Sequence, residues 1–93
     1  MSRESNTVFI GRKPVMSYVQ AVITCFVSSD TKEVTLKARG RAITTAVDVA
    51  EIVNHRFIKE LNAREITIGT EEIQQEEGGT RNVSTIEIKL TRD

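Results

Sequence analysis

Glu33-Val34-Thr35-Leu36-Lys37-Ala38-Arg39 sets Val34, Leu36 and Ala38 on one face and Glu33, Thr35, Lys37 and Arg39 on the other. A period of two is the geometry of a pleated strand with one buried face, and Gly40 ends it. Upstream, Val15 to Val27 is apolar nearly all round and longer than a usual strand. Pro14 precedes it and suits a first helical turn, where its missing N–H is not needed. A helix apolar on so many sides is expected to pack on the sheet and against a further body, such as a second subunit. Before it, Thr7 to Ile10 is a short β-prone run closed by Gly11. Residues 1–6 are polar and expected to be loose.

Downstream, Ser28 to Lys32 reads as a turn, and Ile43 to Ile58 returns to helical spacing. Ile43, Ala46, Val47, Ala50, Val53 and Phe57 form one stripe, with Thr44, Asp48, Glu51, His55 and Lys59 opposite. Arg64 to Ile73 then alternates through Ile66 and Ile68, and Val83 to Leu90 through Ile86, Ile88 and Leu90. Glu76-Glu77-Gly78-Gly79-Thr80 between them has the glycines of a hairpin tip. The order β-α-β-α-β-β predicts an α/β (α+β sandwich) fold: a mixed four-stranded sheet with two helices on one face. The first two strands are expected to pair in parallel through a right-handed crossover, and the last two to form an antiparallel hairpin. The outer hairpin, about residues 70–82, has Ile73 as its one large apolar residue before Val83, so it is expected to project as an arm. No repeat or linker divides residues 1–93, which are expected to form a single domain.

At 93 residues the chain suits one core. Surface scaling gives a compact folded area of roughly 5,400 Å² against roughly 15,000 Å² unfolded, so disulfides or metals are not required. Hydrophobic residues make up 39% and charged residues 28%, a globular balance. The longest apolar run, Ala21 to Val27, is too short to span a bilayer, and no leader segment is read. Cys25 is the one cysteine and His55 the one histidine, which excludes an internal disulfide and the usual zinc spacings. Asn82-Val83-Ser84 spells a glycosylation sequon and is expected to be chance. Cys25 reads as an inert thiol in an apolar helix and His55 as a solvated imidazole. Glu71, Glu72, Glu76 and Glu77 read as a solvated hairpin flank rather than as paired catalytic carboxylates or metal ligands. No phosphate-binding glycine loop is present. An enzyme, a cofactor and a metal site are therefore not expected.

Net charge is zero, but its distribution is not even. Residues 1–45 carry seven basic and three acidic residues, a net +4, and residues 46–93 carry six and ten, a net −4. Such asymmetry points to a charged partner or a self-complementary assembly. Gly11-Arg12-Lys13-Pro14 lies between a strand and a helix start, where free backbone N–H groups favour a phosphate. Lys37-Ala38-Arg39-Gly40-Arg41 ends the next strand and leads into the second helix. If the two strands are parallel, Arg12, Lys13, Lys37, Arg39 and Arg41 gather at one edge of the sheet. Arginine suits bidentate phosphate contact and lysine acts as a point charge. The plain alternative is a solvated sheet edge.

These segments resemble the Alba family of small archaeal nucleic-acid-binding chromatin proteins, from about Thr7 to Lys89. The resemblance rests on Val8-Phe9-Ile10-Gly11-Arg12-Lys13-Pro14-Val15-Met16-Ser17-Tyr18-Val19, on Lys37-Ala38-Arg39-Gly40-Arg41-Ala42-Ile43, on Ala46-Val47-Asp48 and Glu51-Ile52-Val53, and on Val83-Ser84-Thr85-Ile86-Glu87-Ile88. It implies a dimer in the cytoplasm, associated with the chromosome, that binds double-stranded DNA and RNA without regard to sequence. It implies phosphate contacts for Arg12, Lys13, Arg39 and Arg41, with Tyr18 beside them. It also implies arms that run along the minor groove, which would bring Arg81 to the nucleic acid, and a contact between dimers at Phe57. Two features depart from the family pattern. The arm carries Glu71, Glu72, Glu76 and Glu77 against Arg81 alone, so it is expected to bind weakly. The first cation of the rim pair is Arg12 rather than lysine, which leaves Lys13 as the residue open to acetylation. Both suit a divergent paralogue that works as a homodimer or as the heterodimer partner of a more basic Alba protein. Other readings are an RNA-directed role in folding or processing, and a protein-interaction module with an acidic arm.

Overall fold

The structure, a computed structural model, describes residues 6–28 and 31–92, with backbone alone at Ala63 and Arg64. The expected loose N-terminus lies outside these residues except for Asn6, and so does the middle of the Ser28–Lys32 turn. In chain order the elements are β1 (Thr7–Phe9), α1 (Val15–Ser28), β2 (Glu33–Arg39), α2 (Ala42–Ile52), a π-helical turn (Val53–Phe57), β3 (Leu61–Gln74) and β4 (Thr80–Arg92). They form one sheet of order β1-β2-β4-β3. β1 runs parallel to β2, with Val8 beside Leu36. β4 lies antiparallel between β2 and β3, placing Ile88 beside both Leu36 and Ile66.

The period-two alternation gives the sheet one buried and one open face. Val8, Ile10, Val34, Leu36, Ala38, Ile86, Ile88 and Leu90 are buried under the helices. From α1 come Tyr18, Val19, Val22 and Phe26, and from α2 Ala46, Val49 and Ala50. Thus α1 buries one face, with Ile23 and Cys25 half-buried, while Met16 and Val27 stay exposed.

The second helix departs from the spacing read above. Its buried stripe is Ala46, Val49, Ala50 and Val53, while Val47 is exposed. The α-helix stops at Ile52 and widens into the π turn, closed by the Ile58 N–H donating to the Val53 carbonyl at 2.8 Å. The wider ring turns Phe57 out to solvent and brings Ile58 into the core. Asn54 Nδ2 donates to the Leu61 carbonyl at 2.7 Å and ties this turn to the start of β3.

β2 pairs with β4 only as far as Arg39 beside Thr85, whereas β3 follows β4 out to Gln74 beside Thr80. The hairpin beyond Thr70 and Ser84 therefore stands clear of the sheet. Its tip turns on Gly78 and Gly79, with φ of 97° and 79°, a region that strongly favours glycine. The Cα extents are 45 × 28 × 21 Å, and the accessible area of 6609 Å² exceeds the compact-monomer expectation. The arm and an uncovered flank of β3, where Ile66 and Ile68 are exposed, contribute to that surface.

Candidate nucleic-acid interface

Parallel pairing of β1 and β2 brings their C-terminal ends to the same edge. The Ile10 N–H donates to the Lys37 carbonyl at 2.8 Å, and the two following loops leave side by side. Gly11 to Lys13 is then fixed from below. Tyr18, buried in the first turns of α1, presents its Oη to this loop, where it accepts the N–H groups of Gly11 and Lys13, each at 2.9 Å. The Gly11 and Lys13 N–H groups, expected from the sequence to be free for a phosphate, are thus taken by Tyr18, and the loop offers instead the exposed Arg12 and Lys13 side chains. Beside it, Gly40 takes φ +58°, and its N–H donates to the Ser84 carbonyl at 2.9 Å. This turn carries the chain from β2 into α2, with exposed Arg41 at the N-cap and no acidic residue in the first helical turn. Cations beside a helix start suit a phosphate.

The five expected rim cations fall into two groups. Among the described residues Arg12, Lys13 and Arg41 form no ion pair. Lys37 and Arg39 belong to the open face of the sheet and have carboxylate partners. Lys37 Nζ lies 3.8 Å from Glu87, and the Arg39 guanidinium is bonded to Glu71 at the base of the arm. The same face continues with Lys89 on Glu65 at 2.8 Å, and at the far end of β4 Arg92 meets Glu60 at 3.3 Å. The hydrogen bond from Lys89 holds the Glu65 carboxyl below its ordinary range, and Glu65 in turn raises Lys89. Arg81 is exposed on the arm opposite Ile73, without an ion pair among the described residues. Phe57 is half-exposed at the end of the π turn, away from the rim in sequence.

Two features carried weaker sequence signals. Phe9 is 69% exposed on the open face, beside Lys37 in register. Alternation points to this, because a strand that buries Val8 and Ile10 must turn Phe9 outward. The carboxylates matched to Lys37 and Arg39 depend on β4 lying between β2 and β3, an order that no local pattern specifies. No group of three His, Cys, Asp or Glu among the described residues is placed to hold a metal ion. None of the described helices is long and apolar enough to cross a membrane.

The Alba family profile matches residues 6–70. The chain is 58% identical over 87 residues to DNA/RNA-binding protein Alba 1 of Archaeoglobus fulgidus, covering 94% of this chain and 96% of that one. It is 54% identical over 89 residues to DNA/RNA-binding protein Alba of Methanocella arvoryzae, covering 96% and 92%. Among solved structures, Alba from Thermoplasma volcanium superposes with a TM-score of 0.87 at 48% identity, covering 94% of this chain and all of that one. The fold, the glycine–cation loops at the sheet edge and these likenesses over nearly the whole length agree, and the chain belongs to the Alba family.

Proposed function

We propose that this chain binds double-stranded DNA, and RNA, through its phosphate backbone and without reading base edges, as a dimeric chromosome-coating protein that compacts and protects the nucleic acid. The carrying observation is the rim: Arg12, Lys13 and Arg41, unpaired among the described residues, stand on two adjacent loops. Contacts of this kind set position and affinity but carry no sequence information. The names of the relatives, DNA/RNA-binding proteins, support the same ligand class.

Dimerisation is supported by the inner flank of β3. Ile66 and Ile68 pair in register with buried Ile88 and Ile86, on the helix side of the sheet, yet are 59% and 78% exposed. A second subunit would cover them and double the cationic rim. Half-exposed Phe57 is the proposed contact between dimers.

The acidic arm favours a second reading. Negative charge near phosphates weakens binding, so a basic paralogue as heterodimer partner, or an RNA with local phosphate contacts, suits the arm better than a wrapped minor groove. Salt-titrated binding to several duplexes of unrelated sequence tests the main reading. Equal affinities with one steep, common salt slope are expected, and affinities that differ by more than about tenfold between sequences would reject it. The same titration with a basic paralogue added, followed by native mass spectrometry, tests the second; the absence of a mixed dimer would remove that partner.

A further inference from the structure

We propose that the open face of the sheet holds a second nucleic-acid site, in which Phe9 stacks on an unpaired base of single-stranded RNA. This rests on the nucleic-acid function proposed above but uses different residues and a different part of the ligand. Phe9 presents a large aromatic side chain to solvent from the strand next to β2, on the face that no helix covers. It borders an open concavity of about 590 Å³ whose wall includes Lys37, Arg39, Glu71, Thr85 and Glu87. Gly69 lies beside Thr85 in register, and a Cβ there would come within 3.2 Å of the Thr85 hydroxyl. The absence of a side chain at Gly69 helps keep this part of the face low.

The chemistry of this hollow differs from that of the rim. Its two cations are each matched by a carboxylate, Lys37 by Glu87 and Arg39 by Glu71. A phosphate gains little from a neutralised pair, whereas a base presents donors and acceptors together on its polar edge. Carboxylates accept from the exocyclic amino group of cytosine, and arginine or lysine donates to guanine. An aromatic side chain supplies the stacking surface, which is tolerant of base identity. Inside a duplex both base faces are already stacked, so the site is open only to an unpaired base. Folded RNA displays such bases in loops and bulges, and a neighbouring threonine hydroxyl can bond the ribose 2′-OH. Phe9 stands two residues before Gly11, about 7 Å along a strand, so a strand gripped at Arg12 can lay an adjoining base on it.

The test uses the full chain with Phe9→Ala, Phe9→Leu and Phe9→Trp. The probes are an unstructured RNA strand of about 12 nucleotides, the DNA strand of the same sequence, and its duplex. Phe9→Ala and Phe9→Leu are expected to bind the RNA strand about fivefold more weakly or worse, with duplex affinity unchanged. Phe9→Leu keeps apolar bulk without an aromatic face, which separates stacking from packing. Phe9→Trp is expected to retain RNA affinity, with its emission quenched by the RNA strand and not by the duplex. Unchanged RNA affinity in Phe9→Ala, an equal loss on strand and duplex, or Trp emission indifferent to RNA would each overturn the proposal. Single-stranded DNA bound as tightly as RNA through Phe9 would overturn the assignment to RNA. Weak, sequence-dependent duplex binding by the unaltered chain would instead reject the function proposed above, while the Phe9 results would still report on this site.

Discussion

The rim and the open sheet face carry the same residue types and behave as opposites. On the rim, Arg12, Lys13 and Arg41 project from loops with no carboxylate paired to them among the described residues. On the face, Lys37 and Lys89 lie in register with their partners Glu87 and Glu65, and Arg39 reaches Glu71 at the base of the arm. Formal charge is therefore a poor guide to where uncompensated positive charge lies. A neutral chain can keep a cationic edge if its carboxylates are spent on a different surface. The open face neutralises itself, and the rim keeps its charge.

The sharpest way to break this contrast is to remove charge from each region in turn. Arg12→Ala with Lys13→Ala should lower duplex affinity by roughly eightfold per lost contact at 0.1 M salt and flatten the salt slope by about 0.9 per contact. Lys37→Gln with Lys89→Gln should leave that slope nearly unchanged. Equal slopes for the two double variants would erase the distinction.

The next effect concerns how the rim is held. Tyr18→Phe removes the acceptor of the Gly11 and Lys13 N–H groups. It should destabilise the chain by about 1–3 kcal/mol in denaturant unfolding. Hydrogen exchange at those two amides should accelerate beyond the global change, and uniform exchange would show that the hydroxyl does not hold the loop.

A smaller change should convert a face residue into a rim residue. Glu71→Gln releases Arg39 from its partner. Duplex affinity should rise by at most about eightfold at 0.1 M salt, with the slope steeper by up to about 0.9. A fall in affinity would mean that Glu71 positions Arg39 for the ligand instead of competing with it.

The smallest effect is a titration. Lys89 lowers the Glu65 carboxyl, so the stabilisation from Glu65 is complete above its unfolded pKa and fades as pH falls through the lower folded value. Lys89 is raised, so its stabilisation is present below its unfolded pKa and is lost as pH rises through the higher folded one. Carboxyl NMR should place Glu65 below the ordinary range, and Lys89→Met should bring it back up. No change on substitution would detach the two residues.

Much of this was legible in the sequence because two periods speak clearly. Alternation at Val34, Leu36 and Ala38 and at Ile86, Ile88 and Leu90 identifies strands and their buried faces. Parallel pairing then puts the Arg12 and Arg41 loops on one edge. The position of Phe57 was not legible, since a helical wheel assumes a constant turn and the chain widens after Ile52. Nor were the partners of Lys37 and Arg39. Arg39 and Glu71 lie 32 residues apart and meet across the intervening strand β4, which places β2 and β3 within reach of two long side chains. Local patterns identify elements, but lateral strand order decides which charges cancel.

The Tyr18 hydroxyl also bears on kinetics. A loop already fastened at two amides gives up little freedom when a phosphate arrives. Every step along a duplex offers the same spacing of charge to the same rigid edge. On the proposed phosphate-binding role, the protein is expected to shift from one register to the next without rebuilding its grip, which predicts a short residence at any single position even on a fully coated polymer.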